Sequence, residues 1–469
     1  MLNQMIYAGQ KVQGLESGFN VINPATEAVL TVCKSANINQ VNDAVESAKQ
    51  AFQTWKNTSD TEVTEILNRV AADIQAARSE IARLITEEQG KPLALGEMEV
   101  DMALYWLQVT NGLEIPVLEQ IDPMGKKMNV YHRPLGVVAS ITPWNWPFMI
   151  AIWHIIPALK AKNCVVNKPS EYTPLATLRL VEIINRHVPA GVCNIVLGTG
   201  EVGATLSNHV DVDKVTFTGS TPVGQSILAA SVKELRQVVL ELGGNDAAIV
   251  MDDVDVAETA QKLFGSAFFN AGQTCACIKR LYVHENIYDQ MVEELAKIAD
   301  SQVVGDGLDK TTTLGPLQNV KQYQKVKALV EQAIAEGAHV ANNKTADLPA
   351  QGYFLAPLIL TNVAEQSEIF ATEQFGPVLP VVKFSDLDEV IHRANQSSYA
   401  LGGSIWSKDI KRAQAAAAQI EAGTVWINSH ADVSPFTEFG GWKMSGMGYS
   451  FGLDGLLSFT KKQAIHLAS

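Results

Sequence analysis

The feature that most constrains the fold is an alternation of short apolar runs with amphipathic stretches that begins near residue 134. Runs such as "GVVASI", "CVVNK" and "KVTFT" are rich in β-branched residues and end in turn residues, which is typical of buried strands. Helix-like stretches such as "TPLATLRLVEIINRH" and "TPVGQSILAASV" lie between them. Strands that alternate with helices favour a parallel, doubly wound sheet, so we predict an α/β fold.

The alternation restarts at "DAAIVM", residues 246–251, which divides the pattern into two α/β units. A chain of 469 residues is also longer than one hydrophobic core usually supports. We therefore predict a first domain that comprises residues 1–116 and 135–243, and a second that comprises residues 244–445. Helices are expected early in the first domain, where an apolar stripe recurs at helical spacing and Gly90 follows as a C-cap.

Two segments alternate like strands but lie outside the α/β pattern. They are residues 117–134 and the tail 446–469. An added hairpin with an edge strand more often serves assembly than chemistry, so we predict that these segments form an oligomerisation element.

Composition excludes several classes of partner. The net charge of −14 argues against nucleic acid or an anionic membrane. No apolar stretch reaches the roughly 18 residues that a membrane span needs, and the N-terminus does not resemble a signal peptide. The five cysteines form an odd, sparse set, which is typical of a reducing compartment, so we expect a cytoplasmic protein. We expect no metal in the site.

Two glycine-containing loops are candidates for binding a dinucleotide. Gly198, Gly200 and Gly203 fit the G-x-G-x-x-G pattern between a strand and a helix, but the acidic residue expected about 20 positions later is missing. Gly219 and Ser220 follow the strand "KVTFT" and open the next helix, whose free N–H groups suit a pyrophosphate. The residues alone leave open whether either loop binds anything.

Charged side chains at strand ends are the next candidates. Lys168 and Glu171 follow a buried strand, where open α/β sheets bind ligands, and they either hold ribose hydroxyls or form a solvated ion pair. Glu241 ends the strand "QVVLE" and is either a general base with a raised pKa or a carboxylate that faces water. Cys275 is either a nucleophile or a small packing residue. Cys277 poses the same question.

Six motifs taken together resemble the NAD(P)-dependent aldehyde dehydrogenase superfamily, over nearly the whole chain and in order. They are "PWNWP", "KPSEYTP", "LELGGN", "NAGQTC", "EQFGPV" and "FGGWKMSG". The resemblance implies an NAD-binding domain, a catalytic domain and a small β oligomerisation hairpin, in a homodimer or homotetramer. It also implies that the loop at Gly219 replaces the ordinary dinucleotide fingerprint, so residues 198–203 take no part in cofactor binding.

The resemblance assigns roles to individual residues. Cys275 attacks the aldehyde, Asn145 and the Cys275 N–H hold the oxyanion, hydride passes to the nicotinamide, and Glu241 activates the water that hydrolyses the thioester. A carboxylate at Glu171 disfavours a 2′-phosphate, so we expect NAD, with NADP as a possible second cofactor. The implied cofactor-binding residues are Thr142, Trp144, Lys168, Glu171, Gly219, Ser220, Glu373 and Phe375.

The substrate prediction follows from one departure. The C-x-C of Cys275 and Cys277 is similar to the succinate-semialdehyde branch, but that branch has an arginine where this chain has Trp153. We therefore predict an apolar tunnel and an aromatic or aliphatic apolar aldehyde. A semialdehyde, an aminoaldehyde held by a cation–π contact, and a CoA-acylating enzyme remain alternatives, the last disfavoured by Glu241. The expected pocket residues are Trp146, Trp153, Thr274 and Phe439. Cys277 either packs behind Cys275 or forms a redox pair with it.

Overall fold

The computed structural model describes residues 2–343 and 348–467. Its strands, numbered in chain order, are β1 (Met5–Tyr7), β2 (Gln10–Val12), β3 (Gly18–Ile22), β4 (Val29–Lys34), β5 (Leu118–Ile121), β6 (Lys127–Pro134), β7 (Val137–Ile141), β8 (Cys164–Lys168), β9 (Cys193–Ile195), β10 (Lys214–Thr218), β11 (Gln237–Glu241), β12 (Asp246–Val250), β13 (Ile278–His284), β14 (His339–Val340), β15 (Leu358–Thr361), β16 (Val378–Phe384), β17 (Tyr399–Ala400), β18 (Gly402–Trp406), β19 (Thr424–Ile427), β20 (Trp442–Lys443), β21 (Gly446–Met447) and β22 (Thr460–His466).

The α-helices of the described residues are α1 (Ile38–Trp55), α2 (Asp60–Ala76), α3 (Arg78–Gln89), α4 (Leu93–Gly112), α5 (Pro147–Lys160), α6 (Leu175–Ile184), α7 (Gly200–Asn208), α8 (Thr221–Ser231), α9 (Val256–Ala267), α10 (Tyr288–Ser301), α11 (Val320–Ala335), α12 (Glu368–Ala371), α13 (Leu387–Asn395), α14 (Ile410–Ala417) and α15 (Gly452–Leu457). Short 3₁₀ turns occupy Val232–Glu234, Phe269–Gly272 and Glu285–Ile287. Among the described residues, no helix is both long and apolar enough to cross a bilayer.

The first large sheet has the strand order β2-β1-β9-β8-β7-β10-β11-β21. Its five central strands are parallel and lie in the order β9-β8-β7-β10-β11, whereas β1 and β21 pair antiparallel at the two sides. Helices α1, α5, α7 and α8 pack against these central strands. Because the sheet is covered, β7, β8 and β10 are buried at every position. The predicted parallel α/β fold is confirmed.

The second large sheet has the order β14-β15-β16-β13-β12-β18-β19, and all its pairs except β14–β15 are parallel. The chain passes from the first sheet to the second between Glu241 and Asp246 and returns at β21, which pairs with the end of β11. The carboxyl end of β11 therefore lies where the two sheets meet, and this placement decides the position of the site.

A third, smaller sheet has the order β22-β6-β5. Residues 117–134 supply β5 and β6, and the tail supplies β22, which pairs antiparallel with β6. The rest of the predicted segment 446–469 does not join this sheet. Strand β21 belongs to the first large sheet, and α15 packs against α5. Positions 468 and 469 lie outside the described residues. A role of this sheet in assembly stays a prediction.

The helical opening follows the sequence pattern closely. Helix α1 starts at a capping box of Asn37 and Gln40 and buries the predicted stripe that includes Val41, Ala44 and Val45. Helix α3 ends at Gly90, whose φ of 97° is the left-handed conformation expected of a C-cap glycine.

Candidate active site

The nucleophile candidate lies in a strained turn between α9 and β13. Asn270 and Ala271 have φ angles of 53° and 55°, and Gly272 follows with 73°. A Cβ on Gly272 would lie 2.2 Å from the Gly376 carbonyl oxygen, so only glycine fits there. The chain then enters β13 without forming a helix. The Cys275 thiol therefore does not stand at a helix N-terminus, which is one of the usual ways to lower a thiol pKa.

The two neighbouring thiols differ in accessibility. Cys275 is partly exposed, whereas Cys277 is buried with its Sγ 3.6 Å from the Phe269 carbonyl oxygen. Burial raises the pKa of the Cys277 thiol to about 11. These contacts are those of a packing residue, and a redox pairing of the two thiols stays a hypothesis.

Electrostatics around Cys275 oppose the thiolate. Burial raises the pKa of its thiol to about 12; the Lys279 ammonium opposes this shift, and the carboxylates of Glu373, Glu241 and Asp246 add to it. The thiol is therefore protonated near neutral pH, and nucleophilic attack requires that its proton be transferred to another group.

Both the side chain and the backbone carbonyl of Asn145 are hydrogen-bonded to the turn that carries Cys275, residues 269–277, which we call the nucleophile turn. Its Nδ2 donates to the Gln273 carbonyl oxygen at 2.9 Å, and its own carbonyl oxygen accepts from Lys91 Nζ and Asn270 Nδ2, each at 2.9 Å. Lys91 is itself paired with Glu99 at 2.6 Å, and both side chains are buried. An amide Nδ2 carries two N–H groups, so one remains for a substrate oxygen beside Cys275.

Glu241 stands at the carboxyl end of β11 with an incomplete set of partners. Ser450 Oγ donates to its Oε1 at 3.2 Å, while Oε2 is buried with no hydrogen-bond partner among the described residues. Burial raises the pKa of the Glu241 carboxyl to about 8, against the lowering effect of the Ser450 hydrogen bond. A carboxyl with a free oxygen and a pKa near the working range suits a general base.

The glycine pair after Glu241 explains how its strand comes so near the nucleophile. A Cβ on Gly244 would lie 2.5 Å from the Cys275 carbonyl oxygen, and one on Gly243 would lie 2.6 Å from Glu373 Oε2. The backbone contact excludes a Cβ at Gly244, whereas a Cβ at Gly243 would require the Glu373 carboxylate to move. The motif therefore has a steric reason.

A cavity of about 190 Å³ brings the predicted groups together. Asn145 and Cys275 form one part of its wall, and the rings of Trp144 and Phe375 stand edge to face at 5.3 Å. The remaining predicted residues in the wall are Gly219, Ser220 and Glu373. One cavity thus holds the candidate nucleophile, the candidate oxyanion donor and part of the expected cofactor site.

Two residues of this cavity were missed at the sequence level. Gln322 donates its amide to the carbonyl oxygens of Gln374 and Phe375, both at 2.9 Å, and Lys325 Nζ donates to the Glu373 carbonyl oxygen at 2.9 Å. Both belong to α11, about 50 residues before the segment they hold. Helical spacing places them on one face, but it carries no signal of a ligand.

A second cavity of about 480 Å³ shares Trp144, Gly219 and Ser220 with the first. Its wall contains Lys168 and Glu171, whose charged atoms are 3.3 Å apart. Thr142, Gly200 and Gly203 complete the residues of interest in that wall. Helix α7 brings Gly200 and Gly203 to this wall. That residues 198–203 take no part in cofactor binding stays a prediction.

The two cavities fit a dinucleotide. Thr142 Oγ1 is buried without a hydrogen-bond partner among the described residues, so the wall offers an unused polar group. Helix α8 begins directly after Ser220 at the junction of the cavities and presents its N-terminal N–H groups there. In the described residues no cluster of three or more His, Cys, Asp or Glu side chains is placed to hold a metal ion.

The side chains of Trp146 and Thr274, both predicted to line the substrate pocket, are hydrogen-bonded to each other. The Trp146 indole Nε1 donates to Thr274 Oγ1 at 2.9 Å, and its ring packs 4.9 Å from Phe269 and 3.5 Å from Lys91 Nζ. The Trp146 side chain is only 2% exposed. The structure thus places Trp146 in the core behind the nucleophile turn rather than along an open tunnel.

Trp153 and Phe439 belong to a continuous run of aromatic rings. Phe439 belongs to a small buried cluster against which Cys275 packs. Its ring stacks 6.0 Å from Phe451, which lies 4.6 Å from Trp153 and 5.5 Å from Trp106. The run continues to the surface through Tyr105 and Phe436, which we did not predict. These two side chains are exposed.

Comparison with known proteins adds the family relation. The model of the "Aldehyde dehydrogenase family" matches residues 11–465. The phenylacetaldehyde dehydrogenase of Pseudomonas fluorescens is 39% identical over 99% of this chain and 96% of that protein. An NAD⁺ complex of aldehyde dehydrogenase from Bacillus cereus superposes with a TM-score of 0.95 at 34% identity, over 99% and 96% of the two chains.

A betaine aldehyde dehydrogenase from Staphylococcus aureus, in complex with NAD⁺, has a TM-score of 0.96 at 31% identity. That alignment covers 99% of this chain and 94% of the other. The similarity therefore extends over both sheets and the smaller one.

Proposed function

We propose, because this chain belongs to the aldehyde dehydrogenase family, that it oxidises an aldehyde to the carboxylic acid through a covalent bond to Cys275, with NAD as the acceptor. The observation that carries the proposal is the cavity that Asn145, Cys275 and Glu373 share. A nucleophile, an oxyanion donor and a carboxylate suited to a ribose are the groups that this reaction needs in one place.

The second cavity would hold the adenosine end of the cofactor. Lys168 and Glu171, which line this cavity, would bind the ribose hydroxyls, and the Glu171 carboxylate would repel the 2′-phosphate of NADP. The α8 N-terminus beside Ser220 would receive the pyrophosphate. The chemistry that NAD supplies when bound is acceptance of a hydride, which leaves the substrate as a thioester on Cys275.

In the first half of the reaction, Cys275 Sγ forms a bond to the aldehyde carbon, and the thiol proton leaves to solvent, which reaches the partly exposed Cys275. The carbonyl oxygen gains negative charge as its double bond breaks. The free N–H of the Asn145 amide and the backbone N–H of Cys275 would donate to that oxygen, and their fixed positions lower the cost of forming it.

In the second half, Glu241 removes a proton from water. The water oxygen bonds to the thioester carbon, the C–S bond breaks, and the acid leaves while Cys275 regains a proton. Glu241 Oε2 is the atom we assign to this proton, because Oε1 already accepts from Ser450. This step distinguishes hydrolysis from transfer of the acyl group to CoA.

The aromatic run supports an apolar aldehyde, with an aromatic side chain as the best fit. From Phe436 at the surface to Phe439 beside Cys275, consecutive ring centroids are 4.6–6.3 Å apart. A carboxylate substrate would need a cation along this path, and the arginine of the semialdehyde branch is replaced by Trp153. The similarity to a phenylacetaldehyde dehydrogenase points the same way. An aminoaldehyde held on Trp153 is the second candidate.

The domain and assembly assignments are also proposals. The unit around the first sheet would bind NAD and the unit around the second would carry the nucleophile. The sheet of β5, β6 and β22 would join copies of the chain into a dimer or tetramer, and the apolar side chains of Leu118, Ile121 and Ile465 are exposed on it.

The test is an NADH-absorbance assay of the purified protein. Phenylacetaldehyde, hexanal, succinic semialdehyde and 4-aminobutanal are compared, each with NAD and with NADP, and each with and without CoA. We expect the highest kcat/KM for phenylacetaldehyde with NAD, no dependence on CoA, and no activity in Cys275→Ala. Highest kcat/KM for succinic semialdehyde would contradict the substrate assignment, and full activity in Cys275→Ala would contradict the mechanism.

A further inference from the structure

A buried lysine lies directly beneath the nucleophile turn. Lys279, the second residue of β13, folds back so that its Nζ donates to the carbonyl oxygens of Thr274 and Cys275, both at 2.7 Å, and to that of Cys277 at 3.4 Å. Its side chain is 3% exposed. An ammonium has three N–H groups, so the turn engages all of them.

The charge of Lys279 is compensated in an unusual way. The nearest carboxylate oxygen, Glu373 Oε1, is 3.8 Å away and accepts a hydrogen bond from the Gly244 N–H instead. Lys91, another buried lysine close to the nucleophile turn, pairs directly with Glu99 at 2.6 Å. A buried ammonium is costly unless its hydrogen bonds are satisfied. Backbone carbonyls of the turn satisfy those of Lys279, so its position depends on the turn and the turn depends on it.

The hydrogen bond from Lys279 to the Thr274 carbonyl oxygen fixes the direction of the Cys275 N–H, because both groups belong to one peptide unit. The described residues contain no cis peptide bond, and in a planar trans peptide the C=O and the N–H point in opposite directions. With the Thr274 oxygen bound to Lys279, the Cys275 N–H must point away from the lysine. Within the described part of the chain this N–H has no acceptor, so it is free for a substrate oxygen.

We propose that Lys279 is a positioning residue for Cys275, which aims the Cys275 N–H at the developing oxyanion and places a positive charge behind the thiol. The inference rests on the proposed role of Cys275 as nucleophile. The charged groups that face the thiol are the carboxylates of Glu373, Glu241 and Asp246, all of which disfavour the thiolate, and Lys279, which favours it. Loss of the ammonium leaves the thiol with carboxylates alone.

The test compares Lys279→Met, which keeps the chain length without charge or donors, with Lys279→Arg, which keeps both. Lys214→Met is the matched control, because Lys214 is another buried lysine that donates to a backbone carbonyl, that of Ser458, outside the site. The first readout is the rate of alkylation by iodoacetamide from pH 6 to 10. Cys275 is the one free cysteine among the five that is not buried, and Cys275→Ala supplies the background rate.

We expect Lys279→Met to lower the alkylation rate near pH 8 about tenfold, as a rise of one unit in the thiol pKa would. The second readout is the NADH burst, whose rate should fall about 100-fold because an oxyanion donor is misaligned. The KM for NAD should change little. Lys279→Arg should recover much of both rates, and Lys214→Met should match the parent.

Parent-like alkylation and burst rates in a folded Lys279→Met would overturn the inference. If that variant does not fold, Lys279→Gln replaces it, and parent-like rates there count equally against the proposal. Alkylation needs no aldehyde, so the two proposals fail separately. A parent that oxidises no aldehyde while Lys279→Met still loses alkylation refutes the proposed function and not the role of Lys279.

Discussion

Two buried carboxyls of this protein, Glu88 and Glu241, have the same electrostatic signature and opposite surroundings. Burial raises the pKa of each to about 8. The Glu88 oxygens accept from the backbone N–H groups of Leu175 and Ala176, at 2.7 and 2.9 Å, at the start of α6. Glu241 accepts only from Ser450 and keeps one oxygen without a partner. Glu88 therefore caps a helix, and Glu241 retains the capacity to take a proton.

The comparison shows that a raised pKa does not by itself identify a base. What separates the two carboxyls is unused hydrogen-bonding capacity and a position at the carboxyl end of β11, directly before Leu242 and Gly243, which line the first cavity. A base needs a free lone pair within reach of the reacting atoms, whereas a structural carboxylate has its lone pairs occupied. The following variants test this distinction.

The largest effect is expected from Glu241→Gln, which removes the base while preserving its shape. Steady-state turnover should fall about 10²- to 10⁴-fold, since proton transfer in hydrolysis is lost. A burst of one NADH per active site should remain, because acylation does not use Glu241. Stopped-flow absorbance at 340 nm measures both phases. Glu88→Gln is the control and should keep parent turnover per folded site; equal turnover in Glu241→Gln and the parent contradicts the assignment of the base.

The second variant, Glu88→Leu, attacks the structural carboxyl. Two N–H groups of α6 lose their acceptor in the core, which should destabilise the protein by about 3 kcal/mol. The thermal midpoint, followed by scanning fluorimetry, should fall, while the kcat of the folded fraction stays within about twofold of the parent, as for a substitution outside the site. An unchanged midpoint would show that the α6 cap contributes nothing.

How far the sequence predicts this site depends on the range of the signal. Cys275, Glu241 and Asn145 lie in contiguous motifs, and Gly243 and Gly244 carry a steric reason for their identity. Ser450, Gln322 and Lys325 act through contacts that join residues 48 to 209 positions apart, and a polar residue in a loop or on a helix face carries no sign of its partner. Tyr105 and Phe436, at the surface end of the proposed substrate path, were missed for the same reason.

Lys279 shows a third case. Its position four residues after Cys275 is visible in the sequence, but a lysine near the start of a strand normally extends its ammonium group to solvent. Only the strained turn at Asn270 and Ala271 brings the carbonyl groups over its ammonium. The fold itself was predictable from the strand–helix alternation, while the short strands β1 to β4 before α1 had no comparable pattern.

A smaller effect is expected on stability as a function of pH. Between the ordinary carboxyl pKa of 4.5 and the folded value of about 8, folded Glu241 holds a proton that the unfolded chain has released. Its contribution to the free energy of unfolding is therefore complete at low pH and lost as the pH rises to 8. Glu241→Gln removes this loss and should be more stable than the parent at pH 8.5, with much less difference at pH 5.

The same measurement sharpens the comparison when Glu88→Gln is added. A glutamine offers one acceptor oxygen to the two N–H groups of Leu175 and Ala176, so this variant should be less stable than the parent at both pH values. The deficit should be smaller at pH 8.5, because the buried carboxyl of the parent is charged there. Thermal midpoints at pH 5 and pH 8.5 suffice. A gain in stability for Glu88→Gln at pH 8.5 would mean that the two carboxyls do not differ as described.

The smallest effect is expected from Ser450→Ala, which removes the single hydrogen bond to Glu241. That bond lowers the carboxyl pKa, so its loss should raise the pKa further and move the acid limb of the kcat profile to higher pH. Turnover at pH 7 should fall about threefold, the effect of half a pKa unit, and the burst should not change. Ser450→Thr keeps the hydroxyl and should restore the profile, and Ser301→Ala, whose hydroxyl bonds the Ile298 carbonyl oxygen in α10, controls for loss of a serine elsewhere. An unshifted acid limb in Ser450→Ala would assign that limb to a group other than Glu241, and the free oxygen would then no longer separate Glu241 from Glu88.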